Sequence, residues 1–326
     1  MRLLLSKKGK RPMINRRYIL KTAIAASMAL SCANSFPAFA QTKPKLGVLI
    51  YNVGVDPWMN VAVKTLEEKG KDLGFDVTVA DGHNDVAQMS AAIDQFVIQN
   101  MDAIIVAPSD PESLVGSVSK AVAAGKPVVT LSLGLSDAAN VTSFVTADEE
   151  GMGRRQAELV TKALGGKGNV ALMTGILGTS PQLGRSKGQH EVFDKQPDIK
   201  IVEEQANDWQ HEKTVSLIQD WLSKYPKGQL NAVIAHGPEL VAAAEYAHSQ
   251  GRDEVVFVAL DYPEDSRAAI QKGILHATIN QSPALMASIA LETTKKALDG
   301  QAVEKTILID TPTITKENVD SMPAAY

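Results

Sequence analysis

From Lys45 onward the chain alternates short apolar runs with amphipathic stretches, and half-way along the alternation begins again. In the first half, strand-like runs stand at 45–51, 76–80, 103–107, 128–131 and 142–145. Helical stretches at 57–73, 85–100 and 111–124 lie between them, closed by Gly74, Asn100 and Gly125 in turn. In the second half Asp148 caps a helical stretch running to 164, and a glycine-rich turn follows at 165–168. Strands at 169–174, 200–205, 232–235, 255–260 and 275–279 then alternate with helices at 181–196, 210–225, 239–250 and 263–272. Alternation of this kind demands parallel sheets with right-handed crossovers. The halves also echo each other in detail, DAIIVAP at 102–108 against NAVIAHG at 231–237, each run followed by a helix.

The expected fold is therefore α/β: two similar doubly wound parallel-sheet lobes rather than one long sheet. The helix at 283–298 and the tail from Lys305 have no lobe of their own. They are expected to return to the first and second lobes respectively, which makes three chain crossings. The boundaries that follow are 41–147 plus 282–310 for the N-terminal lobe and 148–281 plus 311–326 for the C-terminal lobe.

The first 40 residues differ from the rest. They hold eight Lys and Arg and no acid, then an apolar run at 22–30, then Ala38-Phe39-Ala40. This is the pattern of a secretory signal peptide cleaved before Gln41. Its apolar run is too short for a permanent membrane anchor. Arg16-Arg17 with the residues after it has the form of a twin-arginine signal, with a basic Sec signal as the alternative. Cys32 is the only cysteine; a lipoprotein reading of it is weakened by Ala29, where Leu is usual. The exported chain would thus have no disulfide even in an oxidising compartment. Without the leader, 25 basic residues face 37 acidic ones, a net charge of −12. That argues against nucleic acid or an anionic membrane as partner.

The residues that suggest a binding site gather near strand ends. Asp56 is a natural N-cap, Pro57 suits the first helical position, and Trp58 falls in the first turn beyond strand 45–51. In open α/β sheets ligands bind at that carboxyl edge. Ser132, Arg185, Trp209, His236, Asp261 and Gln281 are read as similarly placed. Any one of them could be a cap or a surface residue, and Trp58 could simply plug the core. Convergence from both lobes is what favours a cleft. Other chemistry finds less support. The 165–168 turn precedes a strand, whereas a phosphate loop follows one. The six histidines show no metal-ligand spacing. Gly178-Thr179-Ser180 lacks a nucleophile-elbow pattern. No cofactor, metal or catalytic residue is expected, and an enzyme using Asp261 or His236 as base lacks an activated nucleophile.

The chain resembles the type I periplasmic solute-binding proteins of the ribose/galactose group, receptors of sugar ABC importers. The resemblance covers nearly all of 45–316. It is carried by DPWM at 56–59, PVVTL at 127–131, GILGTS at 175–180 with Arg185, Leu260-Asp261 and ATINQ at 277–281. It implies two lobes, three hinge crossovers and a solute held between them. It also implies sugar contacts at Asp56, Trp58, Met59, Arg185, Trp209, Asp261 and Gln281. Two departures stand out. Ser132-Leu133 replaces the Asp-Arg pair usual after the fourth strand, and Gly237 replaces an Asn. Both remove hydrogen-bonding capacity, so the solute is expected to be smaller or less hydroxylated than a pyranose, such as a polyol or modified sugar. A permease partner, a periplasmic location and a monomeric state follow from the resemblance. Alternatives are a sensor subunit for a chemoreceptor or histidine kinase, and a receptor for a nucleoside or autoinducer. A sugar-repressor transcription factor shares the fold, but an export signal stands where its DNA-binding helices would be.

Overall fold

Lys45–Ile50 (β1) is buried along all but its first residue, so it needs a sheet covered on both faces. The computed structural model, which describes residues 43–54 and 56–326 with Gly9 alone before them, supplies one. The expected leader and Cys32 lie outside the described residues. The first sheet runs β2 (Asp76–Asp81), β1, β3 (Ala103–Ala107), β4 (Val128–Leu131), β5 (Ser143–Thr146) and β11 (Thr306–Leu308), all parallel. On one face Leu46, Val48 and Ile50 pack with Ala62 and Leu66 of α1 (Pro57–Asp72) and with Met286 and Leu291 of α9 (Pro283–Leu298). On the other, Leu49, Ile104 and Val106 meet α2 (Val86–Ile98) and α3 (Val115–Ala123). Each large aliphatic side chain buried this way contributes about 1.5–3 kcal/mol.

The second sheet repeats the order: β7 (Ile199–Ala206), β6 (Gly168–Thr174), β8 (Ala232–Ala235), β9 (Val256–Leu260), β10 (Ala277–Ile279) and β12 (Thr313–Thr315). Only β12 is antiparallel, to β10. Helices α4 (Glu149–Ala163) and α5 (Ser180–Phe193) cover one face. The other carries α6 (His211–Lys224), α7 (Leu240–Ser249) and α8 (Glu264–Lys272). The chain passes between the sheets three times, after β5, after β10 and between β11 and β12. Two crossings run straight into helix caps. Asp148 Oδ1 accepts from Gly151 N–H (2.8 Å) and Ser282 Oγ from Leu285 N–H (3.3 Å).

Helices α4 and α5 meet at backbone distance, and this sets up the site. A Cβ on Gly153 would lie 2.1 Å from the carbonyl oxygen of Arg185, and one on Gly188 would lie 2.1 Å from that of Glu150. Only hydrogen fits at either position.

The elements depart from the sequence pattern in two places. Helix α3 starts at Val115 rather than at 111 because Asp110 Oδ1 accepts from the N–H groups of Glu112 (2.9 Å) and Ser113 (2.8 Å). That local turn competes with the first helical turn. The tail from Lys305 does not pass directly to the second sheet. Thr306–Leu308 first completes the edge of the first sheet against β5, and the second sheet receives Thr313–Thr315. Among the described residues no helix is long and apolar enough to cross a membrane.

Candidate functional site

One cavity of about 740 Å³ is lined by Asp56, Trp58, Met59, Ser132, Arg185, Trp209, His236, Asp261 and Gln281, the nine residues singled out from the sequence. They come from both lobes and from the crossover after β10. Its size lies within the range of about 300–1,000 Å³ usual for small-molecule sites. Arg185 alone is misplaced by the strand-end reading: it sits within α5 and reaches the cavity because α5 lies against α4.

The two indoles are fixed by their own N–H groups. Trp58 Nε1 donates to the carbonyl of Gln281 (2.8 Å) and Trp209 Nε1 to that of His236 (3.2 Å). Neither is left to bond a solute, so each offers an apolar face. Trp209 rests on Gly175, where a Cβ would lie 2.3 Å from the ring. Asn207, fully buried, accepts from Trp209 N–H (3.1 Å) and donates to Glu239 Oε1 (2.6 Å), so one side chain places both.

Arg185 is 4% exposed. It donates through Nε to Glu149 Oε2 (2.7 Å), through Nη1 to the His236 carbonyl (2.7 Å) and through Nη2 to Gln281 Oε1 (2.9 Å). Burial raises the pKa of the Glu149 carboxyl, and the adjacent guanidinium opposes the rise. His236 lies over the cavity with both ring nitrogens already engaged, Nδ1 accepting from Gly175 N–H (3.3 Å) and Nε2 against Gln189 Oε1 (3.3 Å). Burial and the Arg185 charge hold its pKa well below the usual imidazole value, so the ring is neutral. Its contribution to the site is the carbonyl that anchors Arg185 and Trp209.

Asp56 caps α1, accepting from Trp58 N–H (2.9 Å), and its second oxygen accepts from the Tyr51 hydroxyl (3.2 Å). Burial raises its pKa. Asp261 is 8% exposed and its Oδ1 has no hydrogen-bond partner. Burial pushes its pKa well above the carboxylate range; Arg185 counters this, while Asp56 and Glu239 add to it.

Ser132 and Asp261 occupy equivalent places in the two lobes. Each follows the fourth strand of its sheet in the shared order and has left-handed backbone, φ +63° and +65°. Each N–H donates to the neighbouring strand, Ser132 to Val145 O and Asp261 to Ile279 O, both at 2.9 Å. Each carbonyl accepts from a threonine hydroxyl, Thr146 (3.1 Å) and Thr278 (2.6 Å). Trp209 is also left-handed, φ +57°. For residues other than Gly, Asn or Asp this costs about 1–2 kcal/mol, and it aims side chains out of the sheet edge.

The description "periplasmic binding protein domain" matches this chain over residues 46–302. The chain belongs to that family. Among curated relatives, the xylitol-binding protein of Mycolicibacterium smegmatis is 26% identical over 91% of this chain and 84% of its own length. The ribose import binding protein of Bacillus subtilis is 27% identical over 88% of this chain and 97% of its own. Among solved structures, an ABC transporter solute binding protein from Bacillus halodurans with bound myo-inositol superposes with a TM-score of 0.81. It is 26% identical, covering 87% of this chain and 98% of that one.

This periplasmic binding protein domain has cavity residues that the sequence reading missed. Tyr51, Glu239 and Tyr326 line the cavity. Glu239 had been taken only as a helix start. Tyr326 lies far along the chain from the motifs and gave no signal. Its hydroxyl is buried without a partner, and its pKa is raised by burial and by Asp261, Asp56 and Glu239. Glu149, next to the Asp148 cap in the sequence, was not singled out. Among the described residues no three His, Cys, Asp or Glu side chains group closely enough to hold a metal ion.

Proposed function

We propose that this protein is the extracytoplasmic receptor of an ABC importer, taking a sugar or polyol into the cleft between its lobes and presenting the closed form to a membrane permease. The single observation that carries the proposal is the convergence of two anchored indoles, a clamped guanidinium and several carboxylates on one cavity. A polyhydroxylated solute has apolar C–H faces and a rim of hydroxyls. Trp58 and Trp209 cover faces, Arg185 donates, and Asp56 and Asp261 accept. Relatives named for xylitol and ribose, and a neighbour holding myo-inositol, support that solute class.

In this reading residues 1–40 direct export to the periplasm, and the mature chain acts as a monomer without metal or cofactor. The lobes divide at 41–147 plus 282–310 and 148–281 plus 311–326, and the three crossings act as hinges. Solute touching both lobes stabilises the closed arrangement. Titration with a panel of pentoses, hexoses and polyols should change tryptophan fluorescence and give saturable heat by calorimetry. Silence across that panel, together with a response to purine nucleosides or a furanosyl autoinducer, overturns the assignment.

A further inference from the structure

The charges facing the cavity do not cancel. Arg185 is the buried cation of the lining, and Glu149 already answers it at 2.7 Å. Asp56, Glu239 and Asp261 remain, and their bonds come only from neutral donors: a backbone N–H and a phenol for Asp56, the Asn207 amide for Glu239. Asp261 Oδ1, buried and lining the cavity, has no donor at all. Glu212, Glu245 and Asp265 also line the cavity, all exposed, as is Lys272. Gly237 leaves room for one of these acids, since a Cβ there would lie 2.2 Å from Glu239 Oε2.

A neutral polyol can satisfy lone pairs, but it leaves a concentrated negative field uncompensated. A metal ion does not fit, because among the described residues no three possible ligands group around a common point. An organic cation does: carboxylates supply charge-assisted acceptors, and Trp58, Trp209 and Tyr326 supply ring faces that favour a cation. Building on the sugar-or-polyol reading, we propose that the solute carries a protonated amine on its polyhydroxylated skeleton, with the ammonium group bonded by Asp261 and Glu239. The pKa values of the three acids are raised by burial, Glu239 also by Asp56 and Asp261 also by both, so their ionisation is disfavoured until a cation answers it, which agrees with this. The missing compensation arrives with the solute.

The test is calorimetry at pH 7 with matched pairs: xylitol and 1-amino-1-deoxyxylitol, D-glucose and D-glucosamine, myo-inositol and an amino-deoxy-inositol, with calcium chloride as a metal arm. In at least one pair the amine should bind roughly 10- to 100-fold more tightly than its parent. Asp261→Asn, whose side chain also tolerates left-handed backbone, should bring that ratio to about one by weakening the amine far more than its neutral parent. Glu239→Gln should reduce the ratio as a second, independent variant. Neutral parents binding as tightly as the amines, or an amine preference untouched in both variants, overturns the inference and leaves the sugar-or-polyol reading standing. Tight calcium binding lost in Asp261→Asn also overturns it. If no member of any pair binds, the sugar-or-polyol reading itself falls, and the inference falls with it.

Discussion

Asp261 holds a buried carboxylate oxygen with nothing to bond, and the solute-free protein bears that cost. Replacing it by Asn removes the charge, keeps the shape and keeps a residue type that accepts φ +65°. Asn still carries an unpartnered polar atom there, so the gain is relief of the buried charge alone, about 1–3 kcal/mol. For a chain of this length each kcal/mol moves the melting temperature by about 2 °C, so a rise of roughly 2–6 °C is expected at pH 7.5.

The pH dependence gives the sharper check. The folded-state pKa of Asp261 is raised well above 3.8, so the folded protein holds this proton where the unfolded chain has released it. Stability from this group is therefore greatest below pH 3.8. It falls as pH climbs toward the raised folded value, by at most about 1.4 kcal/mol per pH unit. Asn has no such slope. The gap in melting temperature between Asp261→Asn and the parent should open from about pH 4 up to the raised folded value and level off above it. His236 titrates in the opposite sense, its folded pKa being depressed, but it is present in both proteins and cancels in the difference. Differential scanning calorimetry of the solute-free pair at four or five pH values is sufficient. A gap that is flat with pH, or a variant less stable than the parent at pH 7.5, refutes the reasoning.

Arg185→Ala leaves buried Glu149 without its ion-pair partner as well as removing a donor from the cavity. The single variant should lose about 3–5 kcal/mol in urea unfolding, and adding Glu149→Gln should recover part of the loss. Gly188→Ala should cost about 1–3 kcal/mol, and should weaken solute binding as well, because it forces α5 away from α4. Trp209→Ala should weaken binding by about 2 kcal/mol or more in calorimetry. By contrast Trp221→Phe, in the core of the second lobe at 2% exposure, should leave affinity unchanged and remove only background fluorescence.

The periodicity of the chain made the layered architecture legible, because strands buried on both faces and helices buried on one leave different sequence patterns. That Trp58, Ser132, Asp261 and Gln281 line one cavity was legible for a related reason: a residue just past a strand end has little to do in the core, so a Trp or Asp there stands out. Contacts formed only when distant segments meet were not legible. The Arg185–Glu149 pair depends on two helices touching at Gly153 and Gly188. The spacing of Gly184 and Gly188, one helical turn apart, was the available sign of that close approach. His236 lines the cavity by another route than its side chain suggests. Its residue type suggested a side-chain ligand contact, yet the ring is spent on Gly175 and Gln189 and the carbonyl does the positioning. The left-handed pair shows how such a site arises. Ser132 and Asp261 share backbone, strand-edge bonds and a threonine partner, so the architecture fixes the position in both lobes and leaves the side chain free to vary. With the acid at one position and a hydroxyl at the other, two of the three acids without a cation, Glu239 and Asp261, lie on the side of the second lobe. The first lobe supplies Asp56 together with the surfaces of Trp58 and Met59. Exchanging Ser132 and Asp261 should therefore preserve the fold better than it preserves the choice of solute.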